Sequence, residues 1–156
     1  KAADQGDSEA QYRLANKLFN GDGTEQNIEE AMRFYHLSAE QKHSEAQNTL
    51  ALCYLHGEGV AQDIQEALRL FEGAANQGVV DAQFTLGELY FKSYGVEPDY
   101  EKAYFWFTIA DVFYNDEAEQ RLKATAAKMD AEAIEKAKAK IREWLEEHDI
   151  DVELGG

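Results

Sequence analysis

Residues 3 to 38, 39 to 74 and 75 to 110 superimpose at a constant offset of 36 residues with no gap. A repeat of this length limits the chain to architectures in which one small unit is stacked on the next. Seven columns are identical in all three copies: Ala3/Ala39/Ala75, Gln5/Gln41/Gln77, Ala10/Ala46/Ala82, Gln11/Gln47/Gln83, Leu14/Leu50/Leu86, Gly23/Gly59/Gly95 and Ala31/Ala67/Ala103. Further columns keep their chemistry, among them Leu18/Tyr54/Tyr90, Ile28/Ile64/Tyr100, Phe34/Leu70/Trp106 and Tyr35/Phe71/Phe107.

Each copy reads as helix, turn, helix. Positions 10, 14 and 18 are apolar at the spacing of one helical face. A glycine pair follows, Gly21 with Gly23 and Gly57 with Gly59, and Ser93 replaces the first glycine before Gly95. Glycine suits a helix end that needs a left-handed residue. The second helix opens at Asn27, Asp63 or Asp99, all good N-caps. Glu30 and Glu66 stand where a capping box needs them, and Lys102 in their column predicts a weaker third cap. Pro98 precedes its cap, where it breaks nothing. Alanine at columns 10 and 31 lets two helices cross closely, and the larger residues at 14, 18, 28, 34 and 35 fill the space between layers.

With these columns in view, the chain resembles the Sel-one-like repeat (SLR) family, a relative of the tetratricopeptide repeats. The second copy carries Ala46, Leu50, Ala51, Tyr54, Gly57, Gly59, Val60, Asp63, Ala67, Phe71, Ala74 and Ala75 of the family pattern. The third carries Ala82, Leu86, Gly87, Tyr90, Gly95, Val96, Asp99, Ala103, Trp106, Phe107 and Ala110. Ala15 and Ala51 depart from the glycine after Leu, Thr24 from Val, Ser93 from the first turn glycine, and Lys42 from the glycine kept at Gly6 and Gly78. The resemblance implies an all-α fold, an α/α solenoid or superhelix with a C-terminal capping helix, and members that act mostly as adaptors or scaffolds. Residues 1–6 are then the remnant of a preceding repeat. Residues 7–41, 42–77 and 78–112 are repeats one to three, 113–148 a half repeat plus capping helix, and 149–156 an acidic tail. Ala2 and Ala3 align with the last turn of a second helix, so the register predicts a piece of a longer protein. Toward the other end, Ala118 begins a fourth first helix. Asp130 caps a last helix that presents Ile134, Ala137, Ile141, Trp144 and Leu145 on one side.

Charge narrows the partners. With 15 Lys and Arg against 31 Asp and Glu, the net charge of −16 opposes binding of nucleic acid and of anionic membranes, and it favours solubility and basic partners. No apolar run is long enough to predict a membrane-inserted span. Cys53, the sole cysteine, has no internal disulfide partner, so cysteine usage leaves periplasm, secretion and cytoplasm all open. Its neighbours in the alignment, Lys17 and Leu89, predict partial exposure.

Chemistry is sparse. The Gly-x-Gly turns lie between helices, not after a strand, so they read as helix ends and not as phosphate loops. His36, His43, His56 and His148 are scattered, without a zinc-type spacing, and read as surface residues. The expectation is no enzyme, no metal and no cofactor. Two alternatives stay open: a hydrolase acting on a β-lactam or cell-wall-like substrate, for which Cys53 and Glu88 would be the residues to test, and a purely structural spacer.

The expected function is a protein–protein interaction module that binds a peptide or protein. By the family resemblance, the first helices of successive repeats line the concave face. The candidate contact residues lie one turn off the packed columns: Tyr12, Asn16, Asn48, Leu52, His56, Phe84, Glu88 and Lys92. These columns vary in chemistry where the packing columns repeat, and Tyr12, Leu52 and Phe84 are apolar without an obvious core role.

Overall fold

The computed structural model describes residue 3, residues 6–94 and residues 97–154. Among them are eight helices: α1 (Ser8–Asn20), α2 (Ile28–Glu40), α3 (Ser44–His56), α4 (Ile64–Asn76), α5 (Val80–Phe91), α6 (Tyr100–Val112), α7 (Ala118–Ala126) and α8 (Ala131–Glu147). Ala2, Gln5, Gly95 and Val96 of the aligned columns lie outside the described residues. The fold is all-α, of the α/α solenoid class. It divides into two compact units, residues 1–79 and 80–156.

In the first unit, α1 pairs with α2, α2 packs on α3, and α3 pairs with α4. The small residues sit where the pattern requires close approach: Ala15, Ala31, Ala46, Ala51 and Ala67 are all fully buried. Leu50, Leu70 and Phe71 fill the space beside them. On α1 the matching face of Ala10, Leu14 and Leu18 is only half-buried.

The turns explain the polar columns. Gly21 and Gly57 end α1 and α3 at φ of 75° and 70°, and their N–H groups donate to the carbonyls of Lys17 and Cys53. The side-chain amides of Gln26 and Gln62 satisfy one more carbonyl each, those of Phe19 and Leu55, both at 2.8 Å. Gly59 has a second reason to be glycine, since a Cβ there would stand 2.9 Å from Ile28 and Met32 of α2.

The second helices open as expected, with one correction. Asn27, Asp63 and Asp99 accept the N–H groups of residues 30, 66 and 102 at 3.0, 3.1 and 3.0 Å, so the third cap is as well formed as the others. The reciprocal half of the capping box does not form. Glu30 and Glu66 turn to Arg33 and Arg69 instead. The cap N–H groups donate to the carbonyls of Leu18, Tyr54 and Tyr90 at 2.8, 2.9 and 3.0 Å, which ties the start of each second helix to the end of its first.

The identical glutamines also find their cause here. Gln41 donates to Gln11 at 2.6 Å and Gln77 to Gln47 at 2.8 Å, linking the end of a second helix to the start of its first. Gln11 is buried, and a buried amide left unpaired costs about 1–3 kcal/mol.

In the second unit, α6 is central and packs against α5, α7 and α8. Gly87 lets the ring of Phe107 lie against α5, where a Cβ would approach it to 2.6 Å. The capping helix buries Ala137, Ile141, Trp144 and Leu145, and Ile134 is half-buried. Trp144 stands 6.3 Å from both Trp106 and Phe113, edge to face.

Leu50 and Leu86 are 1% and 0% exposed. Leu50→Ala and Leu86→Ala are each expected to lower unfolding stability by about 2–5 kcal/mol, through lost burial and a residual cavity. Urea denaturation followed by circular dichroism measures this. A loss below about 1 kcal/mol at both sites contradicts the packing register.

Candidate protein-binding surface

The expected contact residues fall into both units and differ in how free they are. Tyr12 of α1 is half-buried. Its hydroxyl lies 3.3 Å from Thr49 Oγ1 on α3, so the two first helices meet here. Its ring sits 4.9 Å from the His43 ring and 6.1 Å from that of Tyr35. Asn16 accepts the Tyr35 hydroxyl proton at 2.6 Å. Asn48 is half-buried, and its Oδ1 is enclosed without a hydrogen-bond partner. Leu52 is 38% exposed and His56, at the end of α3, is exposed.

In the second unit, Phe84 is half-buried with its ring 5.5 Å from that of Phe107. Glu88 bridges Lys92 at 2.5 Å and Arg121 at 2.8 Å, which leaves its carboxylate neutralised by two cations. Lys92 itself is exposed.

Variation among these columns therefore has two sources. Asn16 faces the hydroxyl of Tyr35, whereas Leu52 stands in the copy whose matching aromatic is Phe71. An amide where the aromatic carries a hydroxyl, and an aliphatic where it does not, is a choice made by packing. Leu52 and His56 have no such internal explanation, whereas Lys92 is the ion-pair partner of Glu88.

Four residues are placed otherwise than the sequence suggested: His43 and Cys53, and with them His36 and His148, half-buried with their rings 5.9 and 3.7 Å from those of Tyr54 and Trp144. His43 is no surface bystander. It is the N-cap of α3, with Nδ1 accepting the Ala46 N–H at 3.2 Å and Nε2 on Glu9 at 2.8 Å. That bond, with a second from Arg13, holds the Glu9 carboxyl below its usual range. The clue was its alignment with Asp7, which caps α1 in the same way. Cys53 is buried at 5% exposure, not partly exposed. Burial first, and the Glu58 charge second, push its thiol up to about 11, so the thiolate that nucleophilic chemistry needs is suppressed at neutral pH.

A model of the Sel1 repeat matches residues 8–43, 44–79 and 80–110. The chain belongs to the Sel1 repeat family. Among solved structures it is similar to a Sel1 repeat protein from Oxalobacter formigenes, at 38% identity over 79% of this chain and 92% of that one, with a TM-score of 0.73. It is also similar to c5321, a protective antigen present in uropathogenic Escherichia coli strains that displays an SLR fold, at 26% identity and a TM-score of 0.64. That match covers 99% of this chain but only 43% of c5321. No curated protein matches. Sel1 repeat proteins are generally protein-interaction modules and typically non-catalytic. Among the described residues of this Sel1 repeat chain, no helix is long and apolar enough to cross a membrane.

The raised Cys53 thiol has a consequence for pH dependence. A folded pKa above the unfolded value of 9.0 contributes stability that is present below pH 9 and is lost as pH rises through about 11. The urea midpoint of Cys53→Ala is expected to fall less than that of the parent over that window. Equal slopes in the two proteins contradict the burial of the thiol.

Proposed function

We propose that this Sel1 repeat chain binds a peptide or protein along the exposed sides of its first helices, the side that the family resemblance makes concave. The observation that carries the reading is Leu52, a large aliphatic residue 38% exposed on α3 where its alignment partners are Asn16 and Glu88. His56 lies one turn further along the same helix, and the exposed Lys92 occupies the equivalent column on α5. On the same helix, the Asn48 amide lies one turn before Leu52, and Thr49 meets the Tyr12 hydroxyl. An apolar anchor ringed by polar groups is the usual arrangement of an interaction hot spot. No observation favours the hydrolase or spacer readings over this one.

Tyr12 and Phe84 make poor probes, because each packs on an aromatic of its own unit and truncation would disturb the fold. Exposed residues separate binding from folding. Peptides selected from a random display library against the folded protein supply a ligand, and fluorescence anisotropy supplies its affinity. Leu52→Asp is expected to weaken binding at least about tenfold, with His56→Ala and Lys92→Glu smaller in effect and helix content unchanged in all three. Affinities unaltered by every one of these substitutions would place the binding surface elsewhere.

A further inference from the structure

The first unit contains a recess of about 450 Å³, walled by residues of α2, α3 and α4. That volume is in the range of pockets that hold small ligands. None of its lining residues belongs to the binding surface proposed above.

Two departures of the second copy meet at this recess. Leu70 stands in a column held otherwise by Phe34 and Trp106, and its smaller side chain leaves room where the other copies place a ring. Lys42 stands where the other copies have Gly6 and Gly78. It keeps the left-handed backbone of that column, at φ 62°, and brings a cation to the lining.

The rest of the lining divides by chemistry. Ala39, Leu50 and Leu70 supply the apolar part and are buried. Arg69 is taken up by Glu66, whose two carboxylate oxygens accept from its Nε and Nη2. His36 is taken up by the Tyr54 hydroxyl, 3.3 Å from its Nε2. Glu40 and Lys42 remain. Among the described residues neither forms an ion pair, with the other or with a third group. The recess therefore offers one free carboxylate, one free ammonium group and an apolar base. A ligand with a single charge would satisfy one of the two, whereas a ligand with both charges satisfies both.

We propose that this recess binds a small zwitterion, an amino acid or short peptide with free ends and an apolar side chain. The ligand's ammonium group meets Glu40, its carboxylate meets Lys42, and its side chain rests on Leu50 and Leu70. Arg69 has N–H groups beyond the two that Glu66 accepts, and these can serve the same carboxylate.

The probe is L-leucine, titrated against the full chain and followed by the methyl resonances of Leu50 and Leu70. Saturable shifts of these methyls are expected. N-acetyl-leucine lacks the ammonium group and leucinamide lacks the carboxylate, and each is expected to bind at least about fivefold more weakly. Leucyl-leucine separates the two sources of such a ligand: tighter binding than leucine assigns the recess to short peptides, and weaker binding to the free amino acid. Glu40→Gln and Lys42→Gly, the latter matching both other copies, are expected to weaken leucine to a similar degree with helix content unchanged. Leu52→Asp is expected to leave leucine binding as in the parent, because the two surfaces are separate. Absence of saturable shifts in the parent overturns the proposal. Equal binding of leucine and its two blocked analogues overturns it as well, as does an affinity that neither Glu40→Gln nor Lys42→Gly alters.

Discussion

Close approach of paired helices is the constraint on which the other features depend. Two helices can cross at short range only where side chains are small, and the chain places Ala15, Ala46 and Ala51 on first helices and Ala31, Ala67 and Ala103 on second helices with no exposure left. Gly87 takes this furthest, since the Phe107 ring occupies the place of its missing Cβ. Because the small residues draw the axes together, Leu50, Phe71, Leu86 and Phe107 are enclosed almost completely, and their burial adds favourable energy.

Close packing has a polar side as well. Helix ends leave carbonyl and amide groups without partners in their own helix, and here many of them find partners elsewhere in the chain. The glutamine pairs, the Gln26 and Gln62 amides and the cap N–H bonds to Leu18, Tyr54 and Tyr90 meet that need. Each polar column thereby becomes part of the scaffold. Among the exposed residues of the first helices, Leu52 and His56 stand outside this network.

Much of this was legible without coordinates. The helix pairs, the three second-helix caps and the role of Leu50 and Leu86 follow from columns that recur every 36 residues. The candidate surface was less legible. Asn16 and Leu52 occupy one column, yet the first is held by the Tyr35 hydroxyl and the second reaches solvent. His43 read as one of four scattered histidines until its two ring nitrogens were placed on Ala46 and Glu9. A single sequence shows that a column varies, but not whether an internal partner or an empty surface is the cause.

The sequence by itself determined the repeat, the starts of the second helices and the close-packed columns, because these obey local rules: the 3.6-residue period, the chemistry of caps and the steric freedom of glycine. Only the tertiary structure decided which polar side chains bind each other and which side chains stay exposed. Those outcomes depend on residues about 20 to 37 positions apart, as in the Asn16–Tyr35, Gln11–Gln41 and Tyr12–Thr49 contacts.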